Sequence, residues 1–256
     1  MILEHNRTAW DRQVEVGNKW TVPVDEQQVM EARKGKFSIY LTPCRPVPQS
    51  WFPVLKNSRV LCLASGGGQQ GPLLAAAGAA VTVYDNSPNQ LQQDQRVAER
   101  ENLDIDIVQG DMRDLSVFGS ESFDLIVHPV SNAFVPEVRK VWTEAYRVLR
   151  EEGILLAGFT NPVAYIFDEN EYDKGLLVVK NKIPHSDCES LSEEAISLRL
   201  DNGIPLEFGH TLEDQIGGQI DAGFAIKGFY EDTYGEQDLL SEYIACFIAT
   251  RAIKRA

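Results

Sequence analysis

Between residues 58 and 159, short runs of apolar and β-branched residues alternate with longer segments in which apolar residues recur at helical spacing. This alternation is typical of β-α-β units, which build a parallel sheet covered by helices. It predicts strands at residues 59–63, 81–85, 105–108, 123–127 and 154–159. We therefore expect an α/β chain with a doubly wound sheet and helices on both of its faces.

Two of the connecting segments carry clear helix signals. Residues 87–90, Ser-Pro-Asn-Gln, combine an N-cap Ser, a Pro at the first helical position and a Gln three residues after the cap. This is the pattern of a capping box, and it predicts a helix that extends to about Arg100. From Val138 to Leu149 apolar residues recur at i, i+3, i+4 and i+7, which predicts an amphipathic helix with Trp142 facing the core.

The two ends of the chain have a different pattern. Residues 1–57 contain three of the four tryptophans and a proline-rich passage at 41–48, which is incompatible with a regular helix or a central strand. We predict that residues 1–57 form a helical and irregular cap and that 58–256 form the α/β domain, with an insertion at about 160–208. The later elements predicted are a strand or hairpin at 176–183, a helix at 211–222 and strands at 224–230 and 243–249.

The charge balance is strongly acidic, with 24 Lys and Arg against 38 Asp and Glu and a formal net charge of −14. Because nucleic-acid binding is driven mainly by basic side chains that neutralise phosphates, this balance disfavours a nucleic-acid partner. The apolar runs fall well short of the roughly 20 residues that a membrane-spanning helix needs, and no export signal or anchor is readable. We therefore expect no membrane association.

Neither the cysteines nor the histidines are spaced as metal ligands. The chain has no C-x-x-C, H-x-x-x-H or H-E-x-x-H pattern, so neither a zinc site nor a redox pair is indicated. We expect reduced thiols in a cytoplasmic protein and no metal site. The residues concerned are Cys44, Cys62, Cys188, Cys246, His5, His128, His185 and His210.

A glycine-rich segment follows the first predicted strand. Its glycines match G-x-G-x-x-G at Gly66, Gly68 and Gly71, and Asp85 stands 19 residues after Gly66 at the end of the next strand. Glycines let the backbone turn tightly and approach a ligand, and a carboxylate at the neighbouring strand end accepts hydrogen bonds from ribose hydroxyls. The pattern indicates a nucleoside-containing cofactor. A purely structural turn, with Asp85 only favouring the start of the next helix, is the alternative.

Three segments further along the chain distinguish between the cofactors that share this geometry. They are 108–115 (Val-Gln-Gly-Asp-Met-Arg-Asp-Leu), 122–127 (Ser-Phe-Asp-Leu-Ile-Val) and 147–153 (Arg-Val-Leu-Arg-Glu-Glu-Gly). The order and spacing of these segments after the glycine motif make the sequence resemble the class I S-adenosylmethionine-dependent methyltransferases. The resemblance is greatest to the small-molecule, type 11-like group that includes quinone-biosynthesis enzymes. The resemblance is close over residues 58–159 and loose over the final helix-strand-strand unit. It implies a Rossmann-like sheet of seven strands, mostly parallel with one antiparallel strand.

The resemblance also implies roles for individual residues. S-adenosylmethionine would meet Ala64, Ser65, Gly66 and Gly68 with its methionine portion, Asp85 and Asn86 with its ribose, and Asp111 and Met112 with its adenine. His128, just after the fourth strand, would lie at the methionine end near the acceptor. Two positions depart from the family pattern: Cys62 replaces a frequent acid, and Ala64 replaces the usual first glycine of the loop.

Several of these residues have a structural alternative. Asp111 is either an adenine contact or an ordinary turn acid, and His128 is either a general base or a structural histidine. Asn161, after the fifth strand, is a candidate substrate contact. The aromatic residues of the cap form either a substrate lid or packing contacts; they are Trp10, Trp20, Tyr40 and Trp51.

These observations predict methyl transfer from S-adenosylmethionine to a small-molecule acceptor. The Asn-Pro-Pro-Tyr signature of methyltransferases that act on nucleobases or Gln is absent from residues 128–132, His-Pro-Val-Ser-Asn, which favours a small acceptor. An oxygen or carbon nucleophile would need a base, for which His128 is the candidate, whereas an amine or thiol would need only positioning. The alternatives are an NAD(P)-dependent oxidoreductase and a non-catalytic S-adenosylmethionine-binding protein.

Overall fold

The computed structural model describes residues 2–255, and a seven-stranded sheet lies at its centre. The strands are β1 (Arg59–Leu63), β2 (Ala80–Asp85), β3 (Ile105–Gln109), β4 (Phe123–His128), β5 (Leu149–Thr160), β6 (His185–Ser186), β7 (Phe208–Gly209), β8 (Phe224–Asp232) and β9 (Phe247–Lys254). The helices are α1 (Ile2–Glu15), α2 (Glu26–Arg33), α3 (Gln70–Ala76), α4 (Pro88–Glu101), α5 (Val138–Val148), α6 (Glu169–Tyr172), α7 (Asp187–Ser190), α8 (Glu193–Asn202) and α9 (Gly218–Asp221).

The order of strands in the central sheet is β3-β2-β1-β4-β5-β9-β8. The first five strands in this order pair in parallel, and β9 runs antiparallel to both β5 and β8. The predicted fold, a mostly parallel sheet of seven strands with one antiparallel strand, is therefore confirmed. The direction of winding reverses between β1 and β4, and a doubly wound sheet binds its ligand in the crevice at that point.

Alternate residues of each strand face two separate hydrophobic cores. In β1, Val60 and Cys62 pack with residues of α2, α3 and α4, whereas Leu61 and Leu63 pack with residues of α5 on the other face. This division follows from the two-residue period of a strand. It places helices on both faces of the sheet, as predicted. Trp142 of α5 is fully buried in the second core.

The helix predicted from Ser87 to about Arg100 forms as α4, but only one of the two hydrogen bonds of its capping box is present. In α4 the Ser87 hydroxyl accepts the hydrogen bond of the Gln90 amide at 3.1 Å. The amide of Ser87 donates to Asp85 Oδ1 instead of to the Gln90 side chain, at 2.9 Å. Asp85 therefore takes over the cap contact that the sequence pattern assigns to Gln90.

Four predicted elements differ from the structure. Residues 176–183 form neither a strand nor a hairpin, apart from one isolated bridge between Phe167 and Val179, and β6 pairs with β7 instead. Leu177 packs against a small core that includes Phe247, but the side chain of Val179 is 67% exposed, so the run does not bury one face as a strand would. The last strand begins at Phe247, since Tyr243 follows a short 3₁₀ helix, and Leu149 opens β5 rather than ending α5. The helix predicted at 211–222 forms as a π-helical turn, Glu213–Gly217, that leads into α9.

The segment before β1 packs closely on the sheet. The amide of Val130 donates to the carbonyl oxygen of Leu41 at 3.0 Å, and Gly158 of β5 faces the same carbonyl. The division into units at 1–57 and 58–256 stays a prediction. Within residues 2–255, no helix has the length and apolar character that crossing a bilayer requires.

Candidate functional site

A cavity of about 500 Å³ lies over the carboxyl ends of the parallel strands, where a doubly wound sheet places its ligands. α1 and the segment after β5 contribute to its walls. Seven of the nine residues predicted to bind the cofactor line this cavity: Ala64, Ser65, Gly66, Asp85, Asn86, Asp111 and Met112. Gly68 and His128 are the two predicted residues that do not line it.

Asp85 presents a carboxylate to the cavity from the end of β2. Its Oδ2 accepts the amide hydrogen of Gly66 at 2.9 Å, and its Oδ1 accepts that of Ser87 at 2.9 Å. A Cβ added at Gly66 would lie 3.2 Å from the carboxylate carbon of Asp85, so glycine permits this close approach. Burial raises the pKa of Asp85 and the two amides oppose that shift. This held carboxylate suits a ribose diol.

The backbone conformation of Ala64 is one that glycine adopts more easily than alanine. Its φ is 46°, in the left-handed region that side chains with a Cβ seldom adopt. The conformation is held by two hydrogen bonds: the Ala64 amide donates to the carbonyl of Tyr84 at 2.7 Å, and the hydroxyl of Ser131 donates to the carbonyl of Ala64 at 2.8 Å. The loop therefore keeps its turn without the glycine. Cys62, the other departure, is a fully buried core thiol.

Asp94 of α4 holds the glycine loop from behind, which the sequence analysis missed. Its Oδ2 accepts the amides of Gly67 and Gly68 at 2.9 and 3.0 Å. The Gly68 amide is thereby satisfied within the protein, and Gly68 packs against Pro23 and Gln93 rather than facing the cavity. Burial raises the pKa of Asp94 to about 8. The sequence does contain a signal for this residue: Asp94 lies three residues after Leu91 and three before Val97, so it is a polar residue on the apolar stripe of the helix.

Asp111 and Met112 follow β3 and line the same cavity as Asp85. Both carboxylate oxygens of Asp111 accept hydrogen bonds from Arg113, with Nη2 to Oδ2 at 2.6 Å. Beside them, a Cβ added at Gly110 would lie 1.9 Å from the hydroxyl oxygen of Tyr84, so this stretch of backbone lies directly on the tyrosine ring. Asp111 therefore has a structural partner, and it retains a face on the cavity.

His128 is not placed to act as a base in the cavity, which corrects the expectation from its sequence position. Its ring is fully buried, with Nδ1 at 2.8 Å from the Leu63 carbonyl and Nε2 at 2.6 Å from Asn132 Oδ1. Burial lowers the pKa of His128, so the neutral ring is favoured. The contacts indicate that it orders the turn after β4.

At the other end of the cavity, a tyrosine and a carboxylate form a pair that the sequence did not reveal. Tyr165 Oη donates to Glu207 Oε2 at 2.9 Å, and both residues line the cavity. The ring of His185 stacks on Tyr165 from behind, with centroids 5.5 Å apart, and Asp187 Oδ2 accepts the Glu207 amide at 2.9 Å. Burial raises the pKa of Glu207. The pair joins residues 42 apart in the irregular insertion, where no periodicity marks them.

The cap aromatics divide between the two predicted roles. Trp10, Trp20 and Tyr40 line the cavity, and Trp10 meets the ring of Phe134 edge to face with centroids 5.0 Å apart. Trp51 packs instead on Tyr230, on a face of the sheet away from the cavity lining.

Asp11 joins α1 to the end of the cavity that contains Asp85, which we call the cofactor end. Its Oδ1 accepts the Ser87 hydroxyl at 2.6 Å and the Asn89 amide at 3.0 Å. Asn161 is not in the lining, because its side-chain amide donates to the Ala245 carbonyl at 3.0 Å and its oxygen accepts the Val163 amide.

The cofactor end fits S-adenosylmethionine in three respects. The Asp85 carboxylate is aimed at the cavity, Gly66 and Gly110 keep the backbone close to it, and Gln90 Oε1 is a buried acceptor for which the described residues supply no hydrogen-bond donor. A ligand with hydroxyl and amino donors complements these acceptors. Residues 2–255 contain no group of three or more His, Cys, Asp or Glu side chains that could hold a metal ion.

Comparisons with known proteins identify the family. The family described as "Methyltransferase domain" matches residues 61–157. The chain is 55% identical over 253 residues to the "Uncharacterized methyltransferase YbaJ" of Bacillus subtilis (strain 168), covering 99% of this chain and 98% of that protein.

Two solved structures share the fold. An S-adenosylmethionine-dependent methyltransferase from Mesorhizobium loti has a TM-score of 0.62 at 17% identity, covering 80% of this chain and 94% of its own. A putative enzyme of the same description from Listeria monocytogenes has a TM-score of 0.59 at 14% identity, covering 81% and 96%. Together with the family match and the 55% identical relative, the strand order and the cofactor end of the cavity identify the chain as a member of the class I S-adenosylmethionine-dependent methyltransferases.

Proposed function

We propose that this methyltransferase acts on a small molecule that binds at the Tyr165–Glu207 end of the cavity. The observation that carries the proposal is the cavity itself, which joins this pair and Asp85 within one enclosure of about 500 Å³. That volume lies within the range of about 300 to 1,000 Å³ typical of small-ligand pockets. A macromolecular acceptor would have to enter past α1, which is bonded to α4 and to the insertion.

The cofactor end binds and orients S-adenosylmethionine, which supplies an electrophilic methyl group on a sulfonium sulfur. In our proposal Asp85 accepts hydrogen bonds from the ribose hydroxyls, and Gln90 Oε1 accepts a further ligand donor. The loop at Ala64, Ser65 and Gly66 contacts the methionine portion. Asn86 lies beside the ribose, and Asp111 and Met112 contact the adenine.

The protein's contribution to the transfer is positioning and the exclusion of water. Methyl transfer requires the nucleophile to lie in line with the methyl group within near-attack distance. Trp10, Tyr40 and Phe134 cover the cavity with apolar surface and limit the access of water to it. His128 supports this geometry indirectly, by holding Asn132 after β4.

Charge and cysteine chemistry support our proposals for the location and the partners. The net charge of −14 supports a small acceptor over a nucleic acid. All four cysteines are free thiols, which supports our proposal of a cytoplasmic protein.

A labelling experiment tests the small-molecule acceptor. The purified protein is incubated with methyl-labelled S-adenosylmethionine and a cell extract that has been separated by ultrafiltration into a low-mass and a macromolecular fraction. We expect label to appear with the low-mass fraction only. Transfer that requires the macromolecular fraction would contradict the proposal, and Asp85→Ala serves as the control for transfer that depends on this site.

A further inference from the structure

We propose that the methyl acceptor is an amine, which Glu207 and the surrounding aromatic rings bind in its ammonium form. This inference rests on the proposed function, because it assigns the substrate class to the same cavity. It follows from the charges and rings that line the end opposite to Asp85.

Glu207 has a carboxyl group for which the residues that the structure describes provide no ion-pair partner. Among residues 2–255 it forms no ion pair, and the nearby cation, Arg199, is bound to Glu169 at 2.7 Å and to Asp187 at 3.7 Å. Arg199 is therefore already paired with two other carboxylates. A partly buried carboxylate without a counter-ion is costly. Because Glu207 faces the cavity, a cationic ligand can supply the missing charge.

Aromatic rings line the same cavity as this carboxylate, and one of them, Tyr165, donates its hydroxyl hydrogen to Glu207 at 2.9 Å. Tyr165, Tyr234, Tyr40 and Phe247 all line the cavity, and the rings of Tyr234 and Phe247 meet edge to face with centroids 4.4 Å apart. Ring faces attract ammonium groups, and this attraction strengthens where water is excluded. A carboxylate among aromatic rings thus favours a cationic amine over a neutral or an anionic group.

The cavity has little to offer an anionic acceptor. Within the described part of the chain, Arg7 is the one Lys, Arg or His side chain in the lining, and it is paired with Glu4 on the same helix. A carboxylate or phosphate on the acceptor would meet Glu207 without a cation to offset the repulsion. The charge of the lining therefore discriminates against such acceptors.

The same carboxylate accounts for the proton that amine methylation releases. The ammonium transfers a proton to Glu207, which frees the nitrogen lone pair. The nitrogen then forms a bond to the methyl carbon as the carbon–sulfur bond breaks, and that bond's electron pair stays on sulfur. The products are the methylated ammonium and S-adenosylhomocysteine, and the proton on Glu207 returns to water. Burial raises the pKa of Glu207, which makes its carboxylate a better proton acceptor than an exposed one.

Binding of three probes of the same shape tests the inference without relying on turnover. Isothermal titration of the protein saturated with S-adenosylhomocysteine compares benzylamine, benzyl alcohol and benzoate. We expect benzylamine to bind at least about tenfold more tightly than benzyl alcohol, the range for a charge-assisted hydrogen bond, and benzoate to bind most weakly. Equal or tighter binding of the alcohol or the acid, or failure of benzylamine to bind, would overturn the proposal.

Variants locate the preference. Glu207→Gln should abolish the advantage of benzylamine over benzyl alcohol and leave the affinity for S-adenosylhomocysteine within about twofold. Glu189→Gln, an exposed acid of the same insertion, should retain the preference. A preference that survives in Glu207→Gln would overturn the assignment. Failure of the wild-type protein to bind S-adenosylhomocysteine would instead overturn the function on which the inference rests, so the two failures are distinct.

Discussion

The two ends of the cavity are built in different ways. At the cofactor end, backbone amides hold the functional groups: Gly66 and Ser87 bind Asp85, and Gly67 and Gly68 bind Asp94. At the Tyr165–Glu207 end, which we call the acceptor end because we propose that the acceptor binds there, side chains hold one another: the Tyr165 hydroxyl donates to Glu207.

This difference has a consequence for specificity. Backbone contacts at the cofactor end depend on the conformation of the loops after β1 and β2, so they survive most changes in neighbouring side chains. The acceptor end depends on which side chains the cap and the insertion contribute. Substitutions there can alter the acceptor without disturbing cofactor binding, because the two groups of contacts share few residues. Four predictions test this separation, from the largest expected effect to the smallest.

The largest effect should come from the pH dependence of Asp94. Burial raises its pKa from 3.8 to about 8. The folded state therefore holds this proton where the unfolded state has lost it, so the free energy of unfolding falls as the pH rises from about 4 to about 8, by at most about 6 kcal/mol. Asp94→Asn should remove this contribution and flatten the pH dependence.

Urea unfolding at several pH values between about 5 and about 8 measures this effect. The difference in stability between Asp94→Asn and the wild type should move in favour of the variant as the pH rises. Asp104→Asn changes an exposed acid and should keep the wild-type slope. Parallel curves for Asp94→Asn and the wild type would show that Asp94 is ionised in the folded protein at neutral pH.

The second prediction concerns the contact between the cap and the sheet. A Cβ added at Gly158 would lie 2.2 Å from the Leu41 carbonyl oxygen, so Gly158→Ala must displace the strand or the cap backbone. We expect the free energy of unfolding to fall by about 3 kcal/mol, at the upper end of the usual cost of overpacking. Denaturant unfolding measures it. Gly119→Ala is the matched control, since the nearest atom to its added Cβ is 3.6 Å away, and equal losses in both variants would contradict the assignment.

The third prediction removes the carboxylate from the cofactor end. Asp85→Ala should weaken S-adenosylhomocysteine binding by about 1 to 3 kcal/mol, the cost of leaving hydrogen-bond donors on the ligand unpaired. Isothermal titration measures the loss, with Asp104→Ala as the exposed control. The same variant should retain the relative preference among the amine, alcohol and acid probes, because Glu207 is unchanged. Unaltered affinity for S-adenosylhomocysteine would refute the ribose assignment.

The sequence located the residues at the cofactor end of the cavity because the signals that mark them lie close together along the chain. β1 has the predicted bounds, and the glycine loop and Asp85 follow directly from strand ends and their spacing. His128 was assigned from its position after a strand without regard to its face. Because side chains alternate along a strand, His128 points to the same face as Ile126, into the core beneath α5.

The acceptor end was not predictable in this way. Tyr165 and Glu207 lie in an insertion without a regular hydrophobic period, and the tertiary structure alone brings them together. The run at 176–183 has the β propensity of a strand, but propensity decides little where no neighbouring surface buries one face. Packing that depends on contacts between distant residues leaves no pattern within a short window of sequence.

The smallest effect should come from the attachment of α1 to the cofactor end. Asp11 accepts hydrogen bonds from the Ser87 hydroxyl and the Asn89 amide, so it stabilises the positive end of α4 and holds α1 over the cavity. Asp11→Ala should cost about 1 kcal/mol, as the loss of a helix cap does, and speed the dissociation of S-adenosylhomocysteine several-fold. Stopped-flow displacement measures that rate, and Glu15→Ala removes an exposed acid of the same helix as the control. If both variants release the ligand at the wild-type rate, α1 packs on the domain without retaining the ligand, and the cap belongs functionally to the acceptor end alone.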